Sequence, residues 1–301
     1  MASLGIWIRE LRLEFLTGSA TPVLLGTSVA WHETGKWDPF LFALTLMGAV
    51  FLHLGANTAN DYFDHLSGND AANLEYVRPF TGGSRLIQEG RISPETVLTT
   101  SLCFFAAALA IGIILTFIAG PAIILFGLIG SICGYFYTAP PLKLAHRGFG
   151  ELAIGTSFGL IAPGSYFVQT GMVSFSCILA SLPVTFLITA VIVINEFQDR
   201  KADSSVDKNT MVVKHGRKKS VYFFSVLIVI SYLPIIAGAA IGMLHPFTLL
   251  ALVTLPLGVR SISVAARNYN SPRMLAPANA STVANHLLTG IIITVVYLVT
   301  G

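Results

Sequence analysis

The chain has 301 residues, 18 of them Lys or Arg and 15 Asp or Glu, so only 11% are charged, against roughly 25% in an ordinary soluble domain. With 54% hydrophobic residues and a mean hydropathy of +0.73, the apolar content exceeds what one water-soluble core of this size can bury, so the bilayer must serve as solvent for much of it. That excludes a typical cytosolic globule and predicts an all-α, polytopic membrane protein. Cys103, Cys133 and Cys177 lie far apart inside apolar stretches and suggest neither a disulfide framework nor a zinc site. Arg9, Glu10, Arg12 and Glu14 stand before the first apolar run, which argues against a cleavable leader.

Apolar runs able to cross about 30 Å of hydrocarbon predict nine helices, near 13–32, 39–66, 94–118, 121–139, 150–170, 175–199, 219–241, 244–264 and 282–300. Asp38-Pro39 and Ser93-Pro94 each place an N-cap residue before a proline at the first helical position. Gly120-Pro121 and the stretch from Gly242 to Pro246 read as tight turns. Connections after the first, third, fifth and seventh segments are short, whereas those after the second, sixth and eighth are long and polar. Of the Lys and Arg residues, 17 fall on the long-loop side and only Lys36 opposite. By the positive-inside rule the long loops and the N-terminus are cytoplasmic and the C-terminus outside, in a cell membrane. Thirteen of the carboxylates share that side, all but Glu33 and Asp38. Acidic residues barely influence insertion, so their placement needs another cause.

The second segment ends NTANDYFDHLSGND, in which Asn60 and Asp64 share a helical face, with Asn57 and Asp61 adjacent. The sixth ends NEFQDRKADSSVDKNT, where Asn195, Asp199 and Asp203 repeat that spacing over two turns. Asn60 to Asp64 and Asn195 to Asp199 share the pattern Asn, acid, aromatic, any, Asp, 135 residues apart, as in a parallel internal repeat. The chain therefore reads as a single domain over 1–301, with a pseudo-repeat about 11–140 and 150–265 and a final helix 282–300. Acidic residues at helix C-termini oppose the macrodipole, and an unfavourable placement made twice points to a ligand. Two facing acidic ridges need cations between them, and hard oxygen donors suit Mg²⁺. A diphosphate bridging the ridges completes the arrangement.

Cations able to bind the outer phosphate oxygens lie in the same loops: Arg78 and Arg85 in RPFTGGSR, Lys143 and Arg147 in YTAPPLKLAHRGFGE, and Lys208 in VDKNT. Arg85 follows Gly82-Gly83, whose backbone permits close approach of an anion, and Lys143 follows Tyr137 and Pro140-Pro141. Arg12 stands at the cytoplasmic entrance of the first segment, placed either to meet an acidic group on a second substrate or to anchor the helix by snorkelling. His53 reads as a structural histidine facing the bundle interior. Tyr62, Phe63, Tyr135, Tyr137 and Phe197 beside the ridges offer π faces to a carbocation. No nucleic-acid stripe and no protein partner is suggested.

Over nearly its whole length the sequence resembles the UbiA superfamily of intramembrane prenyltransferases. The resemblance rests on nine spans, Asn-Asp-x-x-Asp ending the second, the Tyr137 to Lys143 segment, and Asp-x-x-x-Asp ending the sixth. NDYFDHLSGND, with Gly68 and Asp70, is most similar to the branch that prenylates 1,4-dihydroxy-2-naphthoate; Asp207 departs from the glycine that many relatives carry before the lysine. The resemblance implies a nine-helix bundle with a cytoplasm-facing site, in which Mg²⁺ is held by Asn60, Asp61, Asp64 and Asp70 and by Asn195, Asp199 and Asp203. It further implies catalytic roles for Asp64, Asp199, Lys143 and Tyr137, and substrate contacts for Asn57, Arg12, Arg78, Arg85, Arg147 and Lys208. The expected substrates are a polyprenyl diphosphate and an aromatic acceptor. Competing readings are another acceptor within the superfamily, such as hydroxybenzoate, homogentisate, a futalosine-route intermediate or a glycerophosphate lipid, and a cation-coupled transporter. A transporter would place its acidic site near the bilayer midplane, and a CDP-alcohol phosphotransferase would carry an Asp-Gly-x-x-Ala-Arg opening that this chain lacks.

Overall fold

The computed structural model describes residues 4–301, which form helices and turns without strands. A short amphipathic helix α1 (Leu4–Leu11) precedes α2 (Thr17–Thr34) and α3 (Pro39–Ser67), which is followed by one turn of helix, α4 (Asn69–Ala72). A long loop leads to α5 (Pro94–Ala119), α6 (Ala122–Tyr135), the consecutive helices α7 (Gly150–Gly159) and α8 (Ile161–Thr170), and α9 (Phe175–Ser205). The chain ends with α10 (Met211–Ile230), α11 (Leu233–Ala240), a 3-10 stretch running into α12 (Leu255–Asn268), and α13 (Ala276–Thr300).

The expected start signals are used. Asp38 accepts hydrogen bonds from the amides of Phe40 (2.8 Å) and Leu41 (3.0 Å), and Ser93 accepts from Thr96 (3.3 Å), each with proline at the first helical position. Gly120 and Gly242 adopt positive φ at the two expected turns. Each of the nine expected segments is helical, with shifted bounds. The seventh begins at Met211 rather than 219, because Gly216 (φ 78°, ψ 154°) joins an extra turn to it through a kink. The last begins at Ala276 rather than 282.

Among the described residues, six helices are long and apolar enough to cross a bilayer: Pro39–Ser67, Pro94–Ala119, Phe175–Ser205, Met211–Ala240, Pro246–Asn268 and Pro272–Thr300. The other three differ for local reasons. The α6 helix is short, the α7–α8 segment is interrupted at Leu160, and α2 is rich in polar residues that the bundle itself buries. Ser19, Thr21, Thr27 and Ser28 of α2 are at most 5% exposed, and Thr27 bonds Ser165 of α8 (3.1 Å). Lipid need not solvate a polar side chain that finds its partner inside the bundle.

Helix α9 is the axis, packing on α2, α7, α10, α11 and α13. Leu187, Val193, Ile194, Phe197, Phe224 and Ile293 form the centre of the main core. Where α2 crosses α8, a Cβ on Gly26 would lie 2.0 Å from the carbonyl oxygen of Ala162, so only glycine allows that approach. Replacing Gly26 by Ala should destabilise the detergent-solubilised protein by about 1–3 kcal/mol, read as a lower melting temperature. Gly112→Ala, whose Cβ meets nothing within 4 Å, should be neutral or stabilising by up to about 1 kcal/mol.

Candidate active site

The C-terminal turns of α3 and α9 finish on the same side of the bundle, and the two acidic ridges face each other there. On α3, Asn60 Nδ2 donates to Asp64 Oδ2 (3.1 Å), which leaves Asn60 Oδ1 buried and without a partner. On α9, Asp199 and Asp203 point toward the first ridge. Residues just beyond α3 reach across to them: Asn69 Nδ2 donates to Asp203 Oδ1 (2.9 Å), and Asn73 Nδ2 to Asp199 Oδ1 (2.6 Å). Asn73 Oδ1 is likewise buried and unpartnered.

Lys208, on the loop between α9 and α10, fills the gap. Its Nζ lies 2.9 Å and 3.2 Å from the two oxygens of Asp64 and 3.7 Å from Asp203. Only 7% of the residue is exposed. Although burial alone would favour the neutral amine, the Asp64 and Asp203 charges hold the ammonium well above the usual lysine range. The loop that delivers it is fixed by Glu151, which accepts the amide of Met211 (2.5 Å), and by Asp207 in the left-handed region (φ 55°). Glycine adopts that backbone without strain, so Asp207 holds a conformation that most side chains avoid.

Asn57, Asn60, Asp64, Asp70, Asn195, Asp199, Asp203, Tyr137, Arg12 and Lys208 all border one cavity of about 370 Å³. The cavity continues past Leu52, Ile111 and Phe126 to Leu115, Ile123 and Val168. On α3 it is bordered from Asp64 back to Thr45, roughly 28 Å along the helix at 1.5 Å per residue. Arg12 has φ 50° and lies over the Phe15 ring, 4.9 Å from its centroid. Tyr137 packs against Gly150, where a Cβ would come 3.3 Å from its hydroxyl. His53 also borders the cavity, with Nδ1 2.7 Å from Ser19 Oγ and its ring edge-on to Phe158.

Several expected residues stand elsewhere. Asp61 leaves the ridge: Oδ2 accepts the Ser84 amide (2.9 Å), and Gly83 (φ 63°) is pressed so close that a Cβ would lie 2.9 Å from Oδ1. Asp61 and Asp64 are three apart and so have the spacing of helix neighbours, but the Gly83-Ser84 turn packed against Asp61 takes its carboxylate. Arg85, also left-handed (φ 62°), donates to the carbonyls of Asp70 (2.6 Å) and Asn73 (3.2 Å) and stacks on Tyr76, so it braces the α4 turn instead of lining the cavity. Arg78 pairs with Glu89 (3.1 Å) at the surface. Lys143 is exposed, and Arg147 donates to the Pro141 carbonyl (3.0 Å); neither borders the cavity. Asn195 does border it, but Oδ1 accepts from Asn279 of α13 (2.7 Å). Asp70 also does, with Oδ2 taken by Gln88 (3.1 Å), and burial followed by the Asp64 charge raises its carboxyl well above the usual range.

The crossing amides Asn69 and Asn73 lie beyond the first pentad and so outside the repeated pattern; their four-residue spacing on the turn that follows it was the available signal. Glu10 was missed as well. It is fully buried in α1, with Oε2 accepting from Ser84 Oγ (2.6 Å), so that Ser84 joins it to Asp61. Arg9 pairs with Glu89 (2.8 Å) and completes the attachment of α1 to the long loop.

Among the described residues, no three His, Cys, Asp or Glu side chains enclose an ion by themselves. The donor set nevertheless fits a hard divalent cation: Asn60 Oδ1 is unsatisfied beside Asp64, two carboxylates face them, and an ammonium already sits between the ridges.

Burial, and then the Asp61 charge, push the Glu10 carboxyl up to about 7 from an ordinary 4.5. Between those values the folded chain keeps a proton that the unfolded chain releases, so stability declines as pH rises through that window. Wild-type melting temperature should fall between pH 5 and pH 8, a loss of about 1–3 kcal/mol. Glu10→Gln should flatten that dependence and gain most at pH 8.

The match to known proteins covers most of the chain. A model of the UbiA prenyltransferase family matches residues 19–289. The chain is 27% identical over 284 residues to 1,4-dihydroxy-2-naphthoate octaprenyltransferase of Bacillus subtilis, covering 93% of this chain and 88% of the relative. It is 29% identical over 284 residues to the Mycobacterium tuberculosis protein of the same name, covering 94% and 93%. Among solved structures, a UbiA homolog from Archaeoglobus fulgidus bound to DMAPP and Mg²⁺ superposes with a TM-score of 0.72 at 14% identity, over 98% of this chain and 99% of that one. With a helical membrane fold and a family model spanning most of its length, the chain belongs to the UbiA prenyltransferase family and is a multi-pass membrane enzyme that transfers prenyl groups.

Proposed function

We propose that this enzyme transfers a polyprenyl group from polyprenyl diphosphate to 1,4-dihydroxy-2-naphthoate, with loss of the acceptor's carboxylate as CO₂, and that the cation it uses is Mg²⁺. The carrying observation is the Lys208 ammonium lodged between Asp64 and Asp203 where the long apolar cavity opens. The names of the Bacillus and Mycobacterium relatives support the acceptor. We further propose nine membrane crossings with the ridges on the cytoplasmic side of the cell membrane, and two parallel repeats within one catalytic unit.

Held by Asn60 and Asp64 on one ridge and Asp199 and Asp203 on the other, Mg²⁺ would neutralise the diphosphate as its bond to the prenyl carbon breaks. Lys208 then exchanges its carboxylate partners for a phosphate oxygen and adds a fixed positive charge to the leaving group. Asn69 and Asn73 hold Asp203 and Asp199 in place, so the second ridge does not have to reorganise when the donor arrives. The Tyr137 hydroxyl, driven well above its usual range by burial, stays protonated beside the reacting carbon. The apolar walls carry the tail and keep water from the allylic cation. Arg12, at the same mouth and free of ion pairs among the described residues, takes the acceptor's carboxylate and presents the ring.

Asp64→Ala and Asp199→Ala should each abolish Mg²⁺-dependent release of diphosphate while the protein still inserts in membranes; near-normal turnover by both removes the mechanism. Membranes given polyprenyl diphosphate, Mg²⁺ and a panel of acceptors should consume dihydroxynaphthoate with release of CO₂. Product formed only from a hydroxybenzoate or a glycerophosphate would reassign the acceptor. Arg12→Gln should raise KM for the carboxylated acceptor roughly 10- to 100-fold, the loss of one charge-assisted contact. KM for the diphosphate should stay within about twofold.

A further inference from the structure

Charge is distributed unevenly in a way the active site does not use. The last 94 residues, 208–301, hold eight Lys or Arg and no Asp or Glu. Acids from earlier in the chain neutralise two of the eight: Asp64 and Asp203 pair with Lys208, and Glu75 with Arg217 (2.9 Å). Among the described residues the other six form no ion pair. Lys214, Lys218, Lys219, Arg267 and Arg273 lie near the ends of α10 and α12 on the side of the active site, where a positive border is ordinary.

Arg260 does not fit that pattern. It lies inside the span Pro246–Asn268, is exposed on the outside of the bundle, and its side chain makes no hydrogen bond to the described residues. The antiparallel neighbour fixes its depth. A Cβ on Gly258 of α12 would sit 2.9 Å from Ile228 of α10, so Arg267 comes level with the α10 residues near 219–222 that form the border. Arg260 is seven residues further in, about 10 Å deeper at 1.5 Å per residue. An unpaired guanidinium at that depth is costly, and such residues normally have a partner.

Positions seven apart share a helical face, so Arg260, Ser263 and Arg267 form one outward polar strip. Snorkelling draws the Arg260 head toward the border and hence toward Arg267. Two guanidinium groups brought together call for an anion between them, and a phosphate accepts bidentate contacts from both. On the hydrocarbon side of the strip the surface is apolar, with Val253, Leu255 and Val259 exposed. A free phosphate makes no use of that surface, whereas acyl chains lie along it.

We propose that the outward face of α12, from Arg260 through Ser263 to Arg267, binds the phosphate headgroup of an anionic phospholipid. The site is separate from the prenyl cavity, whose walls include no residue of α12, and it stands whatever the acceptor proves to be.

The test uses the full chain purified in neutral detergent and titrated with phosphatidylglycerol or phosphatidylcholine of matched acyl chains, read by native mass spectrometry. Wild type should retain phosphatidylglycerol preferentially. Arg260→Gln should weaken that preference roughly fivefold, about the contribution of one basic residue near an anionic surface, and Arg260→Gln with Arg267→Gln should abolish it. Arg260→Lys should keep most of it. Melting temperature and diphosphate release in neutral detergent should match wild type in the double variant, which separates lost lipid binding from misfolding. Equal retention of the two lipids by wild type, or a preference undiminished in the double variant, overturns the proposal. Displacement by equimolar inorganic phosphate overturns it in favour of a soluble anion, and a dimer that only the double variant loses overturns it in favour of a second copy of the chain.

Discussion

Ionised carboxylates facing each other across a poorly hydrated bundle repel unless a cation lies between them. Asp64 on α3 and Asp199 and Asp203 on α9 are in that position, and the Lys208 ammonium supplies the counter-charge. Much of the local architecture serves to deliver or restrain these groups. Asn69 and Asn73 tie the second ridge to the turn after the first. Arg85 braces that turn from behind, and Glu151 with Asp207 sets the loop that carries the lysine.

The same electrostatic requirement gives the site its chemistry. In the proposed function, an ammonium that compensates two carboxylates in the free protein would stand where an anionic leaving group has to be stabilised, so binding a metal and a diphosphate would exchange partners instead of creating charge in a dry site. The apolar cavity behind it explains why this chemistry belongs in a membrane bundle. In the proposed function it would give the prenyl tail an apolar path inward while water is kept from the reacting carbon. The enclosed polar residues of α2 and the glycine contact at Gly26 belong to the same design, because helices that surround a cavity must pack closely elsewhere.

A second network, Glu10 with Ser84 and Asp61, fastens α1 and the long loop to the mouth of the site. It draws on one residue of the first pentad, which is why the pentad contributes fewer facing carboxylates than its sequence offers. The uniformly basic final third of the chain also has two uses. Lys208 and Arg217 turn inward to acids, whereas Arg260 and Arg267 turn outward.

The membrane class, the nine helical segments, the caps at Asp38 and Ser93, and the pairing of the two Asn/Asp motifs were legible in the sequence, because apolar run length, proline placement and helical spacing are local properties. The facing of Asp64 with Asp199 and Asp203 followed from the repeat. Which cation would serve them did not. Arg85, Lys143 and Arg147 carry the right charge beside suggestive glycines and prolines, yet their backbones direct them to carbonyls or solvent, while Lys208 is brought inward by a left-handed turn at Asp207. Asp61 likewise has the spacing of a ridge residue, and only the Gly83-Ser84 turn packed against it determines that it faces away. Sequence by itself determined the solvent, the elements and the two acidic ridges. Tertiary structure decided which side chains complete the site, since direction in space depends on loop conformation and on partners distant along the chain.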